Sequence, residues 1–194
     1  MNRMNHTTTR RTFIAQAAAT GAALAATILT AQTPKENRTM ANDKTILIAA
    51  DPYAVSLKDA VAAHLKAKGY TVTDLSDRDG KALPYFESAV DTCKAIQAGR
   101  APRAILFCGT GMGMSIVANR FRGVTASVVE SVYAARMCRV INNANVLCLG
   151  QMIWGADMAK TAVDTFLETK FTEGFEGIAD FLRDAYGKVE AIRP

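Results

Sequence analysis

Cys108-Gly109-Thr110-Gly111-Met112-Gly113 brings a thiol and three glycines together within six residues. The apolar run Ala104-Ile105-Leu106-Phe107 precedes it, and Met114-Ser115-Ile116-Val117-Ala118-Asn119 follows. This reads as a buried strand, a glycine-rich turn and the start of a helix. Glycines let the backbone bend sharply and aim several N–H groups at one point, and the helix end adds partial positive charge. Such a turn suits an anion, either bound or developing during a reaction, and the cysteine beside it can move a proton. The glycines alone would also suit a plain strand–helix turn. The full string through Asn119, with Gly123 closing the next loop, favours function. The dinucleotide fingerprint is excluded, because the turn follows the third strand of the chain and not the first.

Other side chains carry two readings each. Asp51 suits a helix N-cap with Pro52 at the first position, and equally a binder of hydroxyl groups. Asn142-Asn143-Ala144-Asn145 suits a turn, since asparagine tolerates left-handed backbone. If Asn142 serves a site, it must serve that of a second copy of the chain, which would make the protein a homodimer or tetramer with shared sites. Glu130 is a solvated carboxylate or a site acid. Arg136 and Arg139, three residues apart, bind an anion or form a solvated face, and Arg120 and Arg122 carry the same ambiguity. His64 lies among lysines and reads as surface.

The elements that position these residues alternate strictly. Strands are expected at Thr45–Ala50, Tyr70–Leu75, Ala104–Phe107, Val124–Val129 and Val146–Leu149. Helices are expected at Ala54–Lys68 (Leu57, Val61 and Leu65 inward), Tyr85–Ala98 (Phe86, Val90 and Cys93 inward), Met114–Arg120, Val132–Val140, Ala156–Thr169 and about Phe175–Lys188. Ser76–Pro84 reads as a polar loop. Apolar strands alternating with helices imply an α/β, three-layer, doubly wound fold with a five-stranded parallel sheet, Rossmann-like, and the expected strand order is 2-1-3-4-5. The switch point then lies between the first and third strands, so Asp51 and Cys108 meet at the mouth of one crevice.

Residues 1–39 differ from the rest. Arg10-Arg11 in Thr9–Ile14 and the uncharged run Ala17–Ala31 suit a twin-arginine export leader, while Met40 just before the first strand suits an ordinary start. The first reading makes the protein periplasmic, the second cytoplasmic. Arg3, Arg10, Arg11, Lys35 and Arg38 against Glu36 give this segment +4 of the chain's +5. The remainder is nearly neutral, so its charge argues for no nucleic acid, and no membrane association is expected once the leader is removed. The 155 residues from Met40 fit a single domain. Cys93, Cys108, Cys138 and Cys148 form no CxxC pair and neither histidine lies near them, so no metal is expected.

The strings Cys108–Asn119 and Asn142-Asn143-Ala144-Asn145-Val146-Leu147-Cys148-Leu149-Gly150, with Val163-Asp164-Thr165-Phe166-Leu167 to Phe171, resemble the sugar-phosphate isomerase family that contains ribose-5-phosphate isomerase B and the galactose-6-phosphate isomerase subunits. The resemblance spans about Thr45–Phe171. It implies a cofactor-free aldose–ketose isomerase working through an enediolate on a sugar or sugar phosphate. Cys108 would be the proton-transferring base, acting as a thiolate favoured by the loop amides. The amides of Gly109, Gly111, Met112 and Gly113 would stabilise the enediolate oxygen, Thr110 and Asn142 would hold substrate oxygens, and Asp51 would bind hydroxyls.

The chain departs from the family pattern in several places. Pro52-Tyr53-Ala54 replaces His-Ala-Gly after the first strand's aspartate. Ile141 stands where a ring-opening histidine is usual. Glu130-Ser131 replaces His-Asp, Met152 replaces an arginine, and Glu173-Gly174-Phe175-Glu176 replaces Gly-Gly-Arg-His. The proton-transfer half is kept, while the ring-opening and phosphate-holding halves are altered. The substrate is therefore expected to be short or open-chain. Its phosphate is either held by other cations, such as Arg136, Arg139 or Arg183, or absent. Two competing readings are a non-catalytic sugar-binding or partner subunit on the same scaffold, and a redox role for Cys108.

Overall fold

The described part of the computed structural model covers residues 44–192. The suggested leader lies outside the described residues.

The three central strands of the sheet are apolar runs buried on both sides. β1 (Thr45–Ala50) sends Ile46, Ile48 and Ala50 to one face and Leu47 and Ala49 to the other. β5 (Arg103–Cys108) repeats this, with Ile105 and Phe107 against Ala104, Leu106 and Cys108. One face is covered by α1 (Val55–Ala67), α4 (Val132–Asn142) and α5 (Ala156–Glu168), the other by α2 (Tyr85–Gln97) and α3 (Met112–Ala118). This is the expected three-layer arrangement. Burying a side chain such as Phe107 or Phe166, both fully enclosed, contributes about 1.5–3 kcal/mol. Leu57, Val61 and Leu65 face inward on α1 as expected. Gly69 and Gly99 end α1 and α2 with left-handed φ of 82° and 73°, the conformation glycine adopts without steric penalty.

The sheet contains β2 (Thr71–Asp74), β6 (Ala126–Val128) and β7 (Val146–Gly150) besides β1 and β5, and all neighbours run parallel. Its order is β2-β1-β5-β7-β6. The switch point between the first and third strands stands, but the expected order 2-1-3-4-5 is corrected to 2-1-3-5-4. Burial gives the reason. Val146-Leu147-Cys148-Leu149-Gly150 is enclosed throughout and belongs in the middle, whereas β6 has three residues and only Ala126 is buried. Asn119 stops this edge in the manner of a further strand. Its amide donates to the Ala126 carbonyl (2.8 Å) and its Oδ1 accepts from the Ala126 N–H (3.0 Å). On the inner side Asn145 Oδ1 accepts from Thr125 N–H at 2.8 Å, and its Nδ2 donates to the Gly123 carbonyl at 2.8 Å.

Two further expectations change. The polar loop after β2 contains a small hairpin, β3 (Asp77–Arg78) and β4 (Lys81–Ala82), turned by Asp79-Gly80, both at positive φ. Phe86 is not in the core. It is exposed at the first turn of α2, edge-on to Tyr85 with centroids 5.4 Å apart. The chain ends in a short 3-10 turn (Glu176–Ile178) and α6 (Ala179–Ala191).

Candidate active site

β1 and β5 end side by side, because the Asp51 N–H donates to the Phe107 carbonyl at 3.1 Å. Asp51 and Cys108 thus stand together at the carboxyl end of the sheet. Asp51 is only 7% exposed, and burial raises its carboxyl above the ordinary value against the opposing pull of the Tyr53 and Ala54 amides. Its Oδ1 accepts from the Tyr53 N–H at 3.0 Å, which closes an Asx turn. It does not cap α1, which begins at Val55. The suggested capping role is corrected for this reason. Gln151 does that work from across the molecule, its Oε1 accepting from Leu57 N–H (3.1 Å) and Ser56 Oγ–H (2.7 Å).

A partly buried relay supports the end of β1. Ser76 Oγ accepts from Ala50 N–H at 2.9 Å and donates to Asp74 Oδ1 at 2.5 Å, and Lys58 binds the other Asp74 oxygen.

The turn after β5 rests on the end of β7. Cys108 pairs with Gly150 in register. The N–H groups of Gln151 and Met152 donate to the carbonyls of Cys108 and Gly109, each at 3.0 Å. A β-carbon on Gly150 would lie 2.5 Å from the Thr110 carbonyl carbon, so only glycine lets the loop settle there. Gly111 has φ 80°, and a β-carbon on it would press on the β7 backbone at 3.0 Å. This left-handed residue turns its own N–H back onto Cys108 Sγ, 3.0 Å away. Thr110 Oγ1 receives the Met112 N–H at 3.4 Å. Gly111 is the N-cap of α3, and no side chain caps it. The loop therefore sets one backbone donor, the Gly111 N–H, on the sulfur of a cysteine that is only 5% exposed.

Three further cysteines lie in the core. Burial pushes Cys93 up to about 12, Cys138 up to about 11 and Cys148 well above the ordinary thiol value. They are core residues held as neutral thiols.

Asp51, Cys108, Gly109, Thr110, Gly111, Met112 and Gly113 are thus brought together. Exposed Glu130 follows β6 at the same end of the sheet. Asn142 is not with them. It is the exposed last residue of α4, at the amino end of β7, whose length separates it from the loop by about 15 Å. Its neighbour Asn143 takes the left-handed turn position at φ 51°.

Arg139 is enclosed near Asn142. It donates to the carbonyls of Thr169 and Ala144 and to Asn143 Oδ1, and it lies 5.7 Å over the Phe166 ring. Burial lowers its guanidinium to about 10. Arg136 donates to the Glu173 carbonyl at 3.2 Å, and Arg183 pairs with Asp180 at 2.9 Å. His64 binds Asp164 at 2.9 Å, joining α1 to α5. Gln151 and Gly150 were not singled out from sequence, because their roles depend on partners far away along the chain.

Residues 46–178 match the family described as Ribose/Galactose Isomerase. The chain is 46% identical over 149 residues to 4-deoxy-4-sulfo-D-erythrose isomerase of Clostridium sp. (strain MSTE9), covering 76% of this chain and 94% of that protein. It is 40% identical to D-erythrulose-4-phosphate isomerase of Pectobacterium atrosepticum, covering 66% and 86%. Among solved structures, ribose-5-phosphate isomerase B of Clostridium thermocellum superposes with a TM-score of 0.68 at 35% identity, covering 76% and 96%. On this match of sequence and of fold, the chain belongs to the ribose/galactose isomerase family of sugar-phosphate isomerases.

Proposed function

We propose that the chain interconverts the aldose and ketose forms of a four-carbon sugar bearing a terminal phosphate or sulfonate, with Cys108 as the base. The observation that carries this reading is the Gly111 N–H on the Cys108 sulfur at 3.0 Å, at a strand end beside Asp51. The thiolate takes the proton from C2 of the aldose, and the electron pair moves onto the carbonyl oxygen. Loop amides meet the charge of the resulting enediolate, and the cysteine returns the proton to C1 while a proton passes from O2 to O1. Thr110 and Asp51 hold the substrate's oxygens. Base catalysis of this kind supplies about 10²–10⁴-fold, and preorganised amides supply a comparable factor.

The four-carbon class is supported by chemistry at Ile141. An aldotetrose with phosphate or sulfonate at C4 has no C4 hydroxyl with which to close a furanose. It needs no acid to open a ring, and an isoleucine in place of the family's histidine carries no penalty. The names of the two relatives above point to the same chain length.

The active unit in this reading is a homodimer with shared sites. Asn142 lies too far from its own Cys108 to touch the same substrate. Segments that follow the carboxyl ends of β1, β5 and β7 also expose Tyr53, Met112, Ile116 and Ile153, apolar surface of the kind a second copy covers.

The test is turnover of erythrose 4-phosphate, 4-deoxy-4-sulfo-erythrose and ribose 5-phosphate by the full chain. One of the four-carbon substrates should turn over at around 10 s⁻¹, with ribose 5-phosphate at least about a hundredfold lower in kcat/KM. Ribose 5-phosphate as the preferred substrate would overturn the reading.

A further inference from the structure

Two exposed side chains lie on the glycines at either end of the reactive loop. A β-carbon on Gly109 would lie 3.4 Å from Met152 Cε and 3.7 Å from its Sδ, so the thioether covers the residue next to Cys108. A β-carbon on Gly113 would lie 2.8 Å from Tyr85 Cε2 and 2.9 Å from Cδ2, so the phenol ring covers the other end. Neither side chain serves the core, since Met152 is 74% exposed and Tyr85 41%. The main chain of Met152 and the ring of Tyr85 each have a partner. The Met152 N–H is tied to the Gly109 carbonyl at 3.0 Å, and Phe86 stands edge-on against the Tyr85 ring at 90°. That contact accounts for a phenylalanine left at the surface. The glycines at positions 109 and 113 thus make room for walls as well as for bending.

We propose that Met152 and Tyr85 are specificity-determining residues that bracket the Cys108 loop and limit the length of sugar it accepts. The inference rests on Cys108 being the reacting group in the function above. A carbon acid seated over the loop with C2 at Cys108 meets the thioether on one side and the ring on the other. Methionine fills such a boundary closely because it is unbranched and polarizable. A longer chain must displace one of the two.

The test reads the bracket without relying on turnover. Cys108 is alkylated by iodoacetamide, whose iodide leaves as the sulfur–carbon bond forms, and separately by bulkier N-ethylmaleimide, which adds the sulfur and a proton across its double bond. Mass spectrometry assigns the product to Cys108. The double variant Met152→Ala/Tyr85→Ala should raise the ratio of maleimide to iodoacetamide rates by about tenfold or more. Met152→Leu/Tyr85→Phe, which keeps the volume, should leave it within about twofold. Melting curves confirm that both fold, as exposed positions allow. An unchanged ratio in the alanine variant overturns the bracket. In parallel, its kcat/KM for ribose 5-phosphate relative to the four-carbon substrate should rise by about tenfold. If wild-type protein turns over no four-carbon sugar while the alkylation ratio still responds, the bracket stands and the substrate assignment falls. If turnover is normal and the ratio does not respond, the bracket alone falls.

Discussion

The two ends of the sheet are built on opposite principles. At the amino end the polar side chains are matched to backbone. Arg139 holds the carbonyls of Ala144 and Thr169, Asn145 spans Gly123 and Thr125, and Asn119 closes the edge of β6. At the carboxyl end Ser76 and Gln151 also bind backbone, but the Cys108 loop takes its order from missing side chains. Gly150 lets Thr110 rest on β7, Gly111 turns its amide onto a thiol, and the rim is left exposed and apolar. Saturated hydrogen bonds give rigidity but no reactivity. Glycines that admit close backbone approach leave the Cys108 loop dependent on its neighbours for rigidity. Mutations at the amino end should therefore act on stability, and those at the carboxyl end on chemistry.

The sharpest way to break the carboxyl end is Gly150→Ala. Its β-carbon meets backbone that cannot rotate away, so the loop must shift. Activity should fall by at least about a hundredfold, with about 1–3 kcal/mol of stability lost to overpacking. Full activity in this variant would show that the loop's seat is irrelevant. At the amino end Arg139→Ala orphans buried carbonyls and should lower stability by about 2–4 kcal/mol in denaturant titrations. Melting unchanged from wild type would contradict the structural role given to this arginine.

Asn142→Ala sharpens the contrast, because the residue is exposed at the stable end yet proposed to serve a partner's site. Melting should hold while kcat/KM drops by about tenfold or more. Mixing it with Cys108→Ala should restore activity through hybrid dimers that carry one intact site, and no recovery would speak against shared sites.

The smallest effect concerns the relay behind β1. Burial works against the Asp74 charge, but the Lys58 ammonium and the Ser76 donors outweigh it and hold the carboxyl below its ordinary value of 3.8. A depressed carboxylate stabilises the fold above the unfolded value, and that stabilisation is lost as pH falls through the folded one. Asp74→Asn should lower Tm by about 2–4 °C at pH 7, since the pair is partly exposed. The difference from wild type should shrink below about pH 3.8. A difference that stays constant down to pH 2 would contradict the linkage.

Much of this contrast is readable in the residues themselves. Apolar strands alternating with helices give the sheet and the crevice, and three glycines after Cys108 give the loop. The strand order fails beyond the third strand because right-handed crossovers permit either neighbour. A signal was nevertheless present, since Val146–Leu149 is solidly apolar while Thr125 and Ser127 interrupt the fourth strand. Asp51 looked like a helix cap because Pro52 follows it, but Gln151 competes for that helix from 94 residues away. Met152 is legible only as the replacement of a family arginine and Tyr85 only as a helix start, since each finds its glycine only once the sheet has formed.

The central claim is tested most directly by solvent deuterium uptake into the substrate carbon in D₂O, comparing wild type with Cys108→Ala at equal melting temperature. Uptake should fall by about 10²–10⁴-fold in the variant. Exchange at the wild-type rate without the thiol would show that another group moves the proton.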